Sequence, residues 1–277
     1  MTTQGEKAER FKALHERPGA FAIPNPWDAG SARLLAKLGF EALATTSAGF
    51  AFSIAKPDGG VTRDETLDNV RAIVAATDLP VSADLEKGFG DDPGTCAETI
   101  RLGAEAGLVG GSIEDATGRA GDPIYAFDVA VERVKSAVQA ARSLPFPFML
   151  VGRAENFLHG RADLADTIRR LQAFAEVGAD VLYAPGLRTL EHIGAIVRAV
   201  APKPVNVLMG SAASFSVAEL ASVGVKRVSV GGAFARAAYG AFLRAAREVR
   251  TQGTFTFGRE AIPHAEINAM FKSDANG

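Results

Sequence analysis

Three charged side chains stand at the ends of short apolar runs, and their spacing is the first sign of chemistry. Asp84 closes the run that begins at Pro80, Glu114 closes the run from Leu108, and Arg153 follows the run from Pro147. Runs of this kind read as buried strands, so each charge is delivered to the rim of a core rather than to open surface. Two carboxylates ending neighbouring strands repel unless a proton or cation lies between them. An all-oxygen pair with no Cys/His cluster nearby suits Mg²⁺, or Mn²⁺, which keeps several waters and reaches a substrate through them. The Arg153 guanidinium offers a planar fork that fits a carboxylate or phosphonate. The plainer alternatives are salt bridges, Arg153 to Glu155 or Glu114 and the carboxylates to Lys87 or Arg119.

Other strand ends add polar groups. Ser47-Ala48-Gly49-Phe50 follows the second apolar run, and a glycine there lets backbone N–H groups approach a ligand carboxylate. Asn206 lies on the seventh run, while Asn25 and Asp28 after the first read more simply as helix caps. Together these groups are able to bind an anionic acid at one end and set its 2-oxygen beside the metal at the other. A cation so placed stabilises the enolate formed when the adjacent C–C or C–P bond breaks.

The elements that must position them follow from a repeat. Ala36-Lys37-Leu38-Gly39, Ala104-Glu105-Ala106-Gly107, Ala175-Glu176-Val177-Gly178 and Ala221-Ser222-Val223-Gly224 each end an amphipathic stretch just before a β-rich run. Each glycine reads as the left-handed residue that stops a helix. Strands are expected near 20–24, 41–46, 80–84, 108–114, 147–152, 180–184, 204–208 and 226–230. Helices are expected near 29–38, 64–77, 94–106, 128–142, 163–177, 189–199, 215–223 and 232–249, and Thr62…Glu65 and Ser216…Glu219 fit the capping box. Eight strands alternating with eight helices predict a (β/α)8 TIM barrel, whose strand C-termini carry the active site. A doubly wound open sheet is the rival, but no G-x-G-x-x-G opens the first helix. No linker divides the chain, so residues 1–277 are expected to form a single domain. Within it, residues 250–277 form a C-terminal extension, with an extra helix carrying Ala265, Ile267, Met270 and Phe271.

Composition narrows the function. The 277 residues are 47% hydrophobic and 22% charged, and Lys+Arg (30) nearly balance Asp+Glu (32), leaving a formal charge of -2. That balance argues against nucleic acid or an anionic membrane surface as partner. One cysteine, Cys96, forms no intrachain disulfide, and no apolar run is long enough for a membrane span, so a cytoplasmic protein is expected. Of the four histidines, His15 and His192 read as helical, His264 lies in the tail, and His159, in the loop after the fifth strand, reads as solvated.

At these residues the sequence resembles the isocitrate lyase / phosphoenolpyruvate mutase (phosphonomutase) superfamily. The likeness runs from Asn25-Pro26-Trp27-Asp28-Ala29-Gly30-Ser31-Ala32-Arg33 through Ser82-Ala83-Asp84, Gly88-Phe89-Gly90, Ser112-Ile113-Glu114-Asp115 and Gly152-Arg153 to Asn206. It implies a Mg²⁺ site at Asp84 and Glu114, and a substrate carboxylate held by Arg153 and the backbone of Ser47, Ala48 and Gly49. Trp27 and Asn206, in matching motifs, join the substrate-binding set. It also implies a homo-oligomer with helix-swapped subunits, a dimer or dimer of dimers. The departures are specific. Better known members end the third strand in Asp-Ala-Asp followed by Thr-Gly-Tyr-Gly, whereas Ser82 replaces the first aspartate here and Leu85-Glu86-Lys87 precede Gly88. Isocitrate and methylisocitrate lyases carry a Lys-Lys/Arg-Cys-Gly loop after the fourth strand. Thr117-Gly118-Arg119-Ala120-Gly121-Asp122-Pro123 stands there instead, which argues against those two activities.

The resulting expectation is a Mg²⁺-dependent lyase or decarboxylase that cleaves a C–C bond of a small 2-oxo or 2-hydroxy dicarboxylate through a pyruvate-type enolate. Asp58 and Tyr183 are the candidate proton donors, and residues 117–127 a glycine-hinged lid. The alternative is a C–P enzyme of the phosphoenolpyruvate mutase or phosphonopyruvate hydrolase type with Asp58 as nucleophile. A second is a non-catalytic barrel that binds a metabolite.

Overall fold

The computed structural model describes residues 2–210 and 215–272. Ten strands occur in chain order: β1 (Phe21–Ile23), β2 (Leu43–Ala44), β3 (Val81–Asp84), β4 (Gly110–Glu114), β5 (Ala116–Arg119), β6 (Asp122–Ile124), β7 (Met149–Arg153), β8 (Val181–Tyr183), β9 (Val205–Leu208) and β10 (Arg227–Ser229). Eight of them form one parallel sheet in the order β1-β10-β9-β8-β7-β4-β3-β2. The Ala44 N–H donates to the Pro24 carbonyl at 3.0 Å, joining the two ends of that order. The sheet is a closed barrel, not a doubly wound open sheet, and β5 and β6 stand outside it as an antiparallel hairpin after β4.

The barrel helices are α2 (Ala29–Lys37), α4 (Arg63–Ala75), α5 (Pro93–Glu105), α6 (Phe127–Arg142), α7 (Leu164–Glu176), α8 (Leu190–Val200), α9 (Val217–Ser222) and α10 (Ala233–Gln252). Both expected capping boxes are made, Thr62 with Glu65 and Ser216 with Glu219. Gly39, Gly107, Gly178 and Gly224 all sit at positive φ, from 85° to 105°, each stopping its helix as the sequence required. Two short helices fall outside the expected eight: α1 (Gln4–Glu16) before β1, and α3 (Ser47–Ser53) directly after β2. A helix does form in the C-terminal extension, α11 (His264–Phe271), after a 3-10 turn at Thr256–Arg259. It lies on α2, where the Arg33 guanidinium donates to the Phe271 carbonyl at 3.2 Å. Residues 273–277 of the extension lie outside the described residues.

Side chains alternate between two cores, because each strand faces helices on one side and the barrel bore on the other. Leu43, Val81, Ile113, Leu150 and Leu182 pack outward under the helices. Phe21, Ile23, Met149, Val151 and Val181 point inward, where Ala8, Phe11 and Leu14 of α1 join them and plug the barrel floor. Gly110 admits this plug, since a Cβ there would lie 2.9 Å from the Phe11 ring and 2.8 Å from the Met149 carbonyl.

His15 of α1 is held between Phe11 and Phe21 with rings edge-on at 4.7 and 5.0 Å, and its Nδ1 lies 2.8 Å from the Phe11 carbonyl. Burial, with Arg227 nearby, pushes its ionisation down to about 3, so the folded chain holds it neutral. Between its unfolded value near 6.5 and about 3 the unfolded chain binds the extra proton, so this residue's contribution favours folding at higher pH and is lost as pH falls. Urea unfolding of wild type and His15→Met at pH 7, 5.5 and 4 should therefore give stabilities that converge or cross as pH drops, by up to about 1.4 kcal/mol per pH unit. A constant difference across that range would contradict the assignment.

Candidate active site

A cavity of about 210 Å³ opens at the C-terminal end of the barrel strands, lined among others by Ser47, Ala48, Asp58, Asp84, Arg153 and Tyr183. Strand register explains who reaches it. Glu114, Arg153, Tyr183, Asn206, Arg227 and Phe21 are successive cross-strand partners through β4, β7, β8, β9, β10 and β1. All six side chains point into the bore, and strand tilt carries this line from the mouth at Glu114 to the floor at Phe21.

Arg153 organises the mouth. Its Nη1 lies 3.1 Å from Glu114 Oε2 and 3.3 Å from Asp84 Oδ1, and its Nε donates to Glu155. Asp84 also accepts from the Ser47 hydroxyl at 2.7 Å, and its own N–H donates to Thr45 Oγ1 at 3.1 Å. The two strand-end carboxylates are thus brought together as the sequence implied. Their partner, however, is Arg153, whereas Lys87 and Arg119 are drawn away to Asp91.

One guanidinium does not balance this group. Burial pushes the Glu114 carboxyl well above the usual range, with Glu155, Asp84 and Glu86 adding repulsion that Arg153 only partly offsets. Burial followed by repulsion from Asp84 raises Asp58. Glu86, absent from the expected site, is pushed up to about 7 by burial and by Asp84 and Asp58. Its backbone is left-handed, with φ 49°, and its Oε1 is buried without a hydrogen-bond partner. The signal for it was present: a carboxylate two positions beyond Asp84, in the segment that departs from the family pattern.

Among the described residues no three His, Cys, Asp or Glu side chains converge as a complete metal-binding group. An excess of buried carboxylate, an unpartnered Glu86 oxygen and an oxygen-only donor set nevertheless fit a divalent cation that keeps most of its waters. Asp84 and Glu114 are the residues that could hold it.

The remaining expectations divide. Ser47, Ala48, Asp58, Tyr183 and Asn206 line the cavity. Tyr183 lies 5.1 Å from the Arg153 guanidinium, and burial pushes its phenol well above the ordinary value, so it remains a proton donor. Gly49 and Trp27 do not face the cavity. The Gly49 N–H is capped by Thr46 Oγ1 at 3.2 Å, and a Cβ there would meet Trp27 at 3.1 Å and Ala235 at 3.2 Å. These two residues pack together at the back of α3. Asn25 receives the Val230 and Gly231 N–H groups at 2.8 and 2.9 Å, and Asp28 caps α2, both structural roles. His159, expected in solvent, is exposed there and lies 3.7 Å from Glu155.

Two buried networks hold the loops around the mouth. Asp115 accepts the Glu155 N–H at 2.8 Å and pairs with Arg170 at 3.0 Å, which fixes the chain just beyond Arg153. Arg133 donates to the carbonyls of Lys87, Gly90 and Asp91 and lies 4.2 Å from the Tyr125 ring, which pins the loop bearing Glu86. The β5–β6 hairpin is tied to the same loop through Lys87 Nζ to the Thr117 carbonyl at 2.9 Å.

Residues 11–250 match the family described as phosphoenolpyruvate phosphomutase. The chain belongs to this family. A protein of Burkholderia cenocepacia J2315, described only as a lyase or mutase, is 65% identical, covers 98% of this chain and 97% of its own, and superposes with a TM-score of 0.96. The 2-methylisocitrate lyase of Halalkalibacterium halodurans is 28% identical over 93% of this chain and 87% of its own length. A 2,3-dimethylmalate lyase, described as a PEP mutase/isocitrate lyase superfamily member, is 26% identical with a TM-score of 0.86 over 98% of this chain and 95% of its own.

Replacing Arg153 by Met should expose the charge balance. With chelator present, Arg153→Met strands three buried carboxylates and should lose about 3–5 kcal/mol in urea unfolding. A loss under about 1 kcal/mol would show that the carboxylates do not depend on it.

Proposed function

We propose that this chain is a Mg²⁺-dependent carbon–carbon lyase or decarboxylase acting on a small 2-oxo or 2-hydroxy dicarboxylate through a pyruvate-type enolate. The observation that carries the reading is the meeting of Asp84 and Glu114 at a cavity mouth holding more buried carboxylate than Arg153 neutralises. Membership of a family whose relatives include lyases of methylisocitrate and dimethylmalate supports it.

A divalent ion held by Asp84 and Glu114 would supply Lewis-acid stabilisation to the 2-oxygen of the acid. Ser47 keeps Asp84 oriented, and Arg153 bridges the two carboxylates. Asp58 would take the hydroxyl proton of a 2-hydroxy substrate as its C2–C3 bond breaks, leaving the 2-oxygen as a carbonyl and the bonding pair as a carbanion on the other fragment, which the protonated Tyr183 would protonate. A 2-oxo acid that loses CO2 leaves the pyruvate-type enolate instead, and Tyr183 would protonate its carbon. Residues 117–127, which take in most of the β5–β6 hairpin, serve as the lid, with Gly118 at φ 75° as its hinge.

The presence of Asp58 in the cavity keeps a second reading specific: attack on phosphorus with Asp58 as nucleophile. One panel separates them. Oxaloacetate, alkylmalates, methylisocitrate and phosphonopyruvate are supplied with and without EDTA, and pyruvate, CO2 and phosphate are assayed. Pyruvate or CO2 release that EDTA abolishes and Asp58→Asn lowers by at least about a hundredfold is expected. Turnover indifferent to EDTA would contradict the first reading, and phosphate release from phosphonopyruvate would favour the second.

The working unit is proposed to be a homo-oligomer paired through α10. That helix buries only Ala235 within the chain and leaves Phe242 65% exposed beside Leu243, more apolar surface than an isolated barrel tolerates. Light scattering should give a multiple of 28.9 kDa, reduced by the double change Phe242→Glu, Leu243→Glu. A wild-type mass of one chain would remove the proposal.

A further inference from the structure

Arg170 of α7 lies outside the cavity lining and is 5% exposed, yet three segments that shape the cavity meet on it. Its Nη1 donates to Asp115 Oδ2 and to the Tyr125 carbonyl, both at 3.0 Å, and its Nε donates to Asp166 Oδ2 at 2.8 Å. Asp115 precedes β5 and Tyr125 follows β6, so one guanidinium grips both feet of the hairpin. The feet also meet directly, the Tyr125 N–H donating to the Asp115 carbonyl at 2.8 Å.

Asp115 carries this grip onward to Arg153. Its N–H donates to the Arg153 carbonyl at 3.1 Å and its Oδ1 accepts the Glu155 N–H at 2.8 Å, which fixes the chain at Arg153 and just beyond it. Glu155, 2% exposed, in turn accepts from Arg153 Nε. With Nε engaged from behind, the guanidinium presents its terminal nitrogens to the cavity, the edge that meets a carboxylate.

An ion pair that only filled this space would be replaceable by apolar side chains without loss, because desolvation offsets its attraction. Apolar side chains cannot reproduce the directed bonds from the pair to the Tyr125 carbonyl and the Glu155 N–H, which tie the hairpin to the loop after β7. Directed bonds matter most behind a recognition group, where a misplacement of about 1 Å costs on the order of a hundredfold. We propose that Arg170 is a positioning residue that couples the lid to the substrate's carboxylate: through Asp115 it holds both feet of the β5–β6 hairpin and, through Glu155, the aim of Arg153. This rests on the reading of the cavity as the site of a small acid.

The test titrates oxalate, a stand-in for the pyruvate enolate, calorimetrically into the full chain with Mg²⁺ present, and adds Mn²⁺ binding by electron paramagnetic resonance and amide exchange by mass spectrometry. Arg170→Gln should weaken oxalate binding and speed exchange of residues 116–125, each by at least about tenfold, while Mn²⁺ affinity and exchange in β9 and β10 stay within about twofold of wild type. Because Arg170→Gln strands the buried Asp115 carboxylate, the charge-neutral double change Asp115→Asn, Arg170→Gln is measured beside it, with the same pattern expected. Arg170→Lys, which keeps the charge, should recover part of the oxalate binding. Oxalate bound within about twofold of wild type by both Gln variants would overturn the inference and leave the small-acid reading standing. So would a loss of oxalate binding matched by an equal loss of Mn²⁺ affinity, or by faster exchange throughout the barrel, since a merely structural pair would act in that way. Failure of wild type to bind oxalate would remove the small-acid reading itself, and the inference with it.

Discussion

Uncompensated charge in a low-dielectric bore is the constraint on which the rest depends. Asp84, Glu86, Glu114 and Glu155 gather around Arg153, which makes ion pairs with three of them, and the exposed Asp58 lines the same cavity. Charges so placed are costly unless each is paired, and a set left out of balance is stable only when it takes up protons or a cation. The mouth of this barrel therefore holds excess negative charge, while the guanidinium of Arg227, deeper in the bore, has Nε and Nη1 without partners among the described residues.

The scaffold exists to keep these opposed charges apart and fixed. Parallel strands send alternate side chains into the bore, and the tilt of the register line separates Glu114 at the mouth from Arg227 near the floor. The α1 plug keeps water from entering below, with Phe11 and Leu14 filling the space beneath β1 and β7. Above, Arg133 and the Asp115–Arg170 pair immobilise the two loops that carry Glu86 and Glu155. Rigidity of this kind is needed because a carboxylate free to swing into water would be solvated and its field screened.

Much of this was legible in the sequence, and the failures have physical causes. Strand-end charges were visible because Asp84, Glu114 and Arg153 each interrupt an apolar run, and the four helix stops because only glycine sits easily at positive φ. The α1 plug was hidden by its composition: its polar face dominates Gln4–Glu16, so few residues announce burial. Gly49 and Trp27 fall outside the cavity lining because position in the chain says nothing of direction: α3 turns Gly49 to its rear face, against Trp27. Glu86 was passed over because its left-handed backbone, unusual for a glutamate, folds it back toward Asp84. Arg227, inside the strand expected near 226–230, was not singled out, and only the register of β10 turns it inward.

The central claim is that Asp84 and Glu114 together hold a divalent cation. Titration of the chain with Mn²⁺, followed by the loss of the free-ion electron paramagnetic resonance signal, tests it without any assumption about substrate. One Mn²⁺ bound per chain, displaced by excess Mg²⁺ and lost in both Asp84→Asn and Glu114→Gln, is the predicted result. No bound Mn²⁺ in wild type, or binding that survives either substitution, would contradict it.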